Sequence, residues 1–223
     1  MGALELGLLA AMCWGFHDVC VRFISQKTPI SACILTVLIV GLIFHIGLMI
    51  PTKEITVISK SAFVLATIAG VSFVIASFCL YYAFKRGPVK LVAPLIASYP
   101  ILSISWAIWI GTPISKFQIL AVLAIIFGVS IVAVLSDISE EKIPPIGKTI
   151  ALSLIAAIAF ACTFASGQAA AELSPHMSAT LVTRIISIML CAIIIYFAGL
   201  KYWPGKSAIP WLIAMGCADG LAL

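Results

Sequence analysis

The sequence predicts an all-α integral membrane protein, and two observations carry that reading. Of its 223 residues, 63% are hydrophobic and only 9% are charged, with a mean hydropathy of +1.24. A soluble domain is about a quarter charged, so no water-soluble fold of this size could hide so much apolar surface. The second observation is segment length. A helix needs about 20 apolar residues to cross the hydrocarbon core. Seven such stretches lie near residues 4–24, 30–50, 62–84, 89–110, 117–135, 148–171 and 178–200, and an eighth, 208–223, runs for 16 residues.

Taken in order, the first segment has no basic stretch before it and contains Glu5, His17, Asp18 and Arg22, so it reads as a membrane helix rather than a signal peptide. The second and seventh each follow a proline, Pro29 and Pro175. The third ends in Lys85, Arg86, Gly87 and Pro88. The fourth carries Pro94 and Pro100 in its interior, where each removes a backbone donor and frees the carbonyl four residues back. Lipid cannot satisfy the carbonyls of Lys90 and Ile96, so neighbouring helices, serine hydroxyls or water must. A kinked helix bordering a wet cavity is expected, with Tyr99, Ser103 and Trp106 on its polar side. All seven cysteines lie within apolar segments and form no CxxC or zinc-type spacing. They read as small packing residues.

Connections are short. The longest, SDISEEKIPPIGK (136–148), holds three of the eight carboxylates and divides the chain. The segments after this loop resemble those before it. Pro29 and Pro175 are 146 residues apart, as are Gly70 and Gly216, and GLLAA (7–11) stands over SLIAA (153–157) at the same offset. Two copies are therefore expected, residues 1–141 with five helices and residues 142–223 with the sixth, the seventh and part of the eighth. Five helices is an odd number, so the copies enter the membrane in opposite orientation, a pattern of secondary transporters. The counterparts of residues 78–135 would fall beyond residue 223, and about 7.5–8 helices of an expected ten are read here.

LLAAMCWGF (8–16), LYYAFKRGPVKLVAPL (80–95) and FQILAVLAIIFGVSIV (117–132) resemble the EamA-type branch of the drug/metabolite transporter superfamily. The resemblance implies ten helices in two inverted EamA repeats and export of small metabolites or drugs. It carries departures. Leu38 and Thr112 stand where the family often has an Arg and a Glu, while Arg184 matches the repeat's Arg, and the His17–Asp18 pair is not a general family feature. The two sides of the membrane also conflict. The Lys/Arg count of the loops places the N-terminus outside, whereas the resemblance implies a cytoplasmic N-terminus.

A charged side chain at a membrane helix centre costs about 2.5–3.5 kcal/mol on insertion scales, so it needs a partner or a cavity. Trp14, Asp18 and Arg22 share one face of the first helix with Gly7 and Ala11. Asp18 and Arg22 can pair at i, i+4 as a structural ion pair, Arg22 can snorkel, or Asp18 can face a central cavity and bind substrate or a proton. His17 is a candidate proton relay beside it. Arg184 either pairs with a neighbouring helix or serves gating and substrate charge. Gln168 and Tyr82 are expected to line the site. The partner of Asp219 is expected in the helices after residue 223. Lys90, with Lys85 and Arg86, is either interfacial or holds an anionic group at the cavity mouth.

No HExxH, GxSxG or Walker loop occurs, so ATP hydrolysis and familiar proteolysis lack their residues. The scattered basic residues and a net charge of +5 do not suit nucleic-acid binding. The sequence therefore reads as a non-enzymatic secondary transporter, an exporter working by alternating access and driven either by an ion gradient, with protons and Asp18 the first candidates, or by the substrate gradient itself. It is expected in the bacterial inner membrane, as a monomer or homodimer, with no cofactor and no metal. An exchanger of phosphorylated or nucleotide-linked anions, and a non-transporting assembly subunit, remain the alternatives.

Overall fold

The computed structural model describes residues 3–52, 57–135 and 146–222, which form nine helical segments and no strand. In chain order these are α1 (Ala3–Lys27), α2 (Ile30–Thr52), α3 (Lys60–Arg86), α4 (Val89–Ile96), α5 (Tyr99–Trp109), α6 (Lys116–Leu135), α7 (Ile146–Leu173), α8 (His176–Phe197) and α9 (Ile209–Ala222). Helices α1, α2, α3, α7 and α8, and α4 with α5 taken as one span, are long and apolar enough to cross a membrane. The fold is all-α, as the hydropathy pattern predicts. The boundary expected at 141/142 lies outside the described residues.

Local signals set the helix ends. Pro88 and Pro175 occupy the N-cap positions of α4 and α8, and Pro29 directly precedes α2. A proline near a helix start loses no bond it would have made, and its fixed φ suits helix entry. Ser59 caps α3, its hydroxyl accepting from the Ala62 amide at 3.1 Å. The fourth segment shows more than the expected kink, for the helix breaks at Ala97 and Ser98. Pro100 has no N–H for the Ile96 carbonyl, and the chain restarts as α5. Ser98 donates its hydroxyl to the Leu95 carbonyl at 2.6 Å, satisfying one of the acceptors exposed at the end of α4.

Outward faces are apolar. Along α1, Leu8, Met12, Phe16, Val19 and Phe23 recur at helical spacing and stay exposed, which suits lipid contact rather than water. Inward, one core joins both halves of the chain. It packs Val21 of α1, Ile34 and Leu38 of α2, Phe84 of α3, Val92 of α4, Ala156 of α7, Cys191 of α8, and Leu212 and Met215 of α9.

Glycines let the backbones approach, as small residues do between membrane helices. A Cβ on Gly70 of α3 would lie 2.7 Å from the Thr183 carbonyl oxygen and 3.0 Å from the Ile186 Cβ on α8. A Cβ on Gly216 of α9 would lie 2.9 Å from the Val37 carbonyl oxygen and 2.6 Å from the Val40 Cβ on α2. Each residue of the first contact stands 146 from its counterpart in the second, the same offset as the sequence anchors. At the first contact the hydroxyls of Thr183 and Ser187 also donate across to the carbonyls of Ala66 and Gly70, at 3.2 and 3.1 Å.

These close approaches predict a stability pattern. Gly70→Ala and Gly216→Ala should each destabilise the fold by about 1–3 kcal/mol through overpacking. Gly15→Ala, whose Cβ meets nothing within 4 Å, should be neutral or stabilising. Thermal unfolding of the detergent-solubilised variants reads the difference, and equal behaviour of all three would contradict the packing described.

Candidate transport cavity

Helices α1, α2, α3, α7 and α9 and the break between α4 and α5 surround a cavity of about 90 Å³. Trp14, His17 and Asp18 enter from α1 and Tyr81 and Ser77 from α3. Tyr99 comes from the first position of α5, Phe160 and Phe164 from α7, and Asp219 from α9. The helix break brings the end of α4 (Ile96) and the start of α5 (Tyr99) to the same wall.

The polar side chains form a chain. His17 Nδ1 lies 3.2 Å from Asp18 Oδ1, and His17 Nε2 lies 3.2 Å from the Tyr81 hydroxyl. With the proton on Nδ1, the imidazole donates to Asp18 and accepts from Tyr81. Tyr81 is buried, and its ring meets the His17 ring edge-on at 5.9 Å. The side chain of Asp18 remains 38% exposed while that of His17 is only 12% exposed, so the carboxylate is the member of the chain open to solvent and solute. Aromatic rings close the opposite wall. Phe164 stands 5.1 Å from Trp14 and 5.2 Å from Tyr99, and Phe160 stacks on Phe164 at 6.2 Å.

Asp219 is different. Its Oδ2 accepts from Arg184 Nη1 at 2.9 Å, and its backbone carbonyl accepts from Arg184 Nη2 at 3.2 Å. The side chains are only 2% and 5% exposed, for Arg184 and Asp219 respectively. Gly41 of α2 makes room for the pair, since a Cβ there would collide with Arg184 Nη1. The expectation that Asp219 finds its partner beyond residue 223 is corrected, because the partner is Arg184 of α8. Arg184 also borders a second cavity of about 330 Å³, with Gln168, His176 and the hydroxyls of Thr163, Thr180, Thr183 and Ser187. Leu38, Phe73 and Phe164 line both cavities and partition them.

The remaining candidates fall elsewhere. Arg22 donates to the carbonyls of Phe84 and Gly87 at 2.6 and 3.2 Å, a cation at the C-terminal end of α3 where the helix dipole favours it. Ser103 and Trp106 do not share the cavity of Tyr99. They line a groove of about 420 Å³ over another face of α7, beside Cys162 and Ser166, and Ser103 donates to its own helix at the Tyr99 carbonyl. All three residues lie on α5, but Tyr99, at its first position beside the break, reaches the central cavity, whereas Ser103 and Trp106, one and two turns further on, pack over the Cys162 side of α7. Gln168 donates to Glu172 at 3.1 Å. Tyr82 is exposed, and neither it nor Lys90 lines any of these three spaces.

Tyr81, Phe73, Phe160 and Phe164 were not singled out by the sequence. A signal existed for two of them, since Phe160 and Phe164 stand 146 residues after Trp14 and Asp18. The offset of the sequence anchors therefore pairs them with two residues of the polar face of α1.

Residues 1–134 match the family model described as the EamA-like transporter family. The chain belongs to the EamA-like transporter family. A curated relative, the uncharacterised protein MJ1333.1 of Methanocaldococcus jannaschii, is 28% identical over 133 residues, covering 59% of this chain and 96% of that protein. As an EamA-like transporter the chain is an integral, multi-pass membrane protein whose family moves small molecules, which fits a cavity walled by five helices and a helix break.

The ion pair yields a test within this EamA-like chain. Arg184→Leu alone should leave Asp219 buried and unpaired and cost about 3–5 kcal/mol. The double variant Arg184→Leu/Asp219→Leu should recover most of that loss. Unfolding temperature in detergent reads both, and a double variant no more stable than the single one would remove the pair from the account.

Proposed function

We propose that this protein is a secondary active transporter that exports a small metabolite or drug-like molecule by alternating access, with the Asp18 cavity as its central site and protons as the coupling ion. The observation that carries the reading is the state of Asp18. It is a carboxylate on a membrane-length helix that lines the cavity and keeps more than a third of its side chain exposed while a histidine holds one oxygen. Intramembrane carboxylates of this kind mark proton or substrate pathways, because an ion in lipid is too costly to keep without a use.

The chain Asp18–His17–Tyr81 supplies the proton chemistry. A proton reaching Asp18 neutralises it and weakens the hydrogen bond it accepts from the imidazole, and His17 can pass a proton between its two ring nitrogens toward Tyr81 or the cavity. We read residues 1–141 and 142–223 as two oppositely inserted copies of one unit. The paired glycine contacts at one sequence offset support that reading, because a pseudo-twofold relation gives two packings of similar energy between which a central site can switch sides. Phe73, Phe164 and Leu38, which separate the two cavities, are where such a switch would open one space and close the other.

Reconstitution into proteoliposomes tests the proposal. Amino acids, nucleosides, sugars and cationic drugs are screened for accumulation against their gradient under an imposed pH difference. For the solute that accumulates, Asp18→Asn should abolish uphill transport while membrane insertion and expression stay intact, and Asp18→Glu should retain part of it. Undiminished accumulation by Asp18→Asn would exclude Asp18 as the coupling site.

A further inference from the structure

We infer that the central cavity selects organic cations, an ammonium group carried on an aromatic or apolar body. The inference rests on the reading of this cavity as the transporter's substrate site and concerns the chemistry the site accepts.

Charge decides the class. Two carboxylates line the cavity, Asp18 and Asp219, and no lysine or arginine is among its lining residues. Asp219 is neutralised by Arg184 at 2.9 Å, whereas Asp18 leans only on a histidine. With His17 neutral, the cavity therefore carries one uncompensated negative charge. An anion entering it would face that charge across a low-dielectric space, and a cation would be drawn to it. The basic residues that could have served an anion are elsewhere. Lys85, Arg86 and Lys90 sit at the α3–α4 turn and line none of the three spaces.

The walls suit the rest of such a solute. Six rings border the cavity, from Trp14, Phe73, Tyr81, Tyr99, Phe160 and Phe164. Ring faces attract cations within about 6 Å, most strongly Trp, and they also bury an apolar body. The acceptors fit an ammonium group too. Ser77 lines the cavity and donates its hydroxyl to the Phe73 carbonyl at 2.8 Å, which leaves its oxygen able to accept, and His17 leaves one Asp18 oxygen open. A single carboxylate with aromatic walls and acceptor hydroxyls is complementary to a monovalent cation rather than to a phosphate or a carboxylate.

Three probes with one aromatic body test this. Phenethylamine is protonated at pH 7, 2-phenylethanol is neutral and phenylacetate is an anion. Binding to the full chain in lipid nanodiscs is read by isothermal titration calorimetry. Phenethylammonium should bind at least about tenfold tighter than 2-phenylethanol, and phenylacetate should show no binding. Asp18→Asn should reduce that preference to below about twofold, and Trp14→Leu should weaken the cation more than the alcohol. Equal or reversed affinities in the native chain, or no binding by any of the three, would overturn the inference without requiring either variant to fold. Because these measurements read binding and not flux, they fail independently of the coupling experiment on Asp18→Asn.

Discussion

A charged or polar group placed among membrane helices must be satisfied by a partner or by water in a cavity, because lipid offers neither donor nor acceptor. The architecture reflects how this chain meets that demand. Arg184 and Asp219 pair with each other across α8 and α9 through both Nη atoms, while Arg184 Nε stays buried without a protein partner among the described residues. Arg22 is spent on the last carbonyls of α3, and His45 reaches the Met177 carbonyl at 2.9 Å. Many serine and threonine hydroxyls in the helices turn back to their own carbonyls or cross to a neighbour at a glycine contact. His17, Asp18, Tyr81 and Tyr99 gather around one space, the first three linked to one another by hydrogen bonds. The groups that close on protein partners make the scaffold, and the group that opens on a cavity is the proposed site.

The two parts depend on each other through packing. Gly41 lets the Arg184–Asp219 pair sit against α2, and Gly70 and Gly216 bring α3 to α8 and α9 to α2 at backbone contact. These approaches fix the helices that hold Leu38, Phe73 and Asp219 around the cavity. Because Arg184 pairs with Asp219, Asp18 is the carboxylate lining the cavity that has no Lys or Arg beside it among the described residues, so in the proposed site a structural interaction shapes what could bind.

Much of the fold was legible because membrane helices are specified by length and hydropathy, which survive without knowledge of packing. The break in the fourth segment was legible in Pro94 and Pro100 as a disturbance, though its form depended on Ser98 and on the restart at Tyr99. Asp18, His17 and Trp14 were legible because a carboxylate and an imidazole are conspicuous in an apolar helix. Tyr81 was not, since Tyr82 is its sequence neighbour and only packing decides which of two residues about 100° apart faces inward. The Arg184–Asp219 pair was hidden for a related reason. Thirty-five residues separate them, and pairing across helices depends on rotation and tilt that hydropathy does not carry.

Site-directed accessibility tests the division between satisfied and cavity-facing groups most directly. In a background with all seven cysteines replaced, Tyr99→Cys, Leu120→Cys and Lys206→Cys are exposed in membranes to an impermeant thiol reagent. Leu120 and Lys206 are both exposed, the first as an apolar residue within α6 and the second in the connection before α9. The account predicts that positions 99 and 206 react, because one faces a wet cavity and the other water, and that position 120 stays inert in lipid. A Tyr99→Cys variant as inert as Leu120→Cys, from both sides of the membrane and with position 206 reacting, would contradict it.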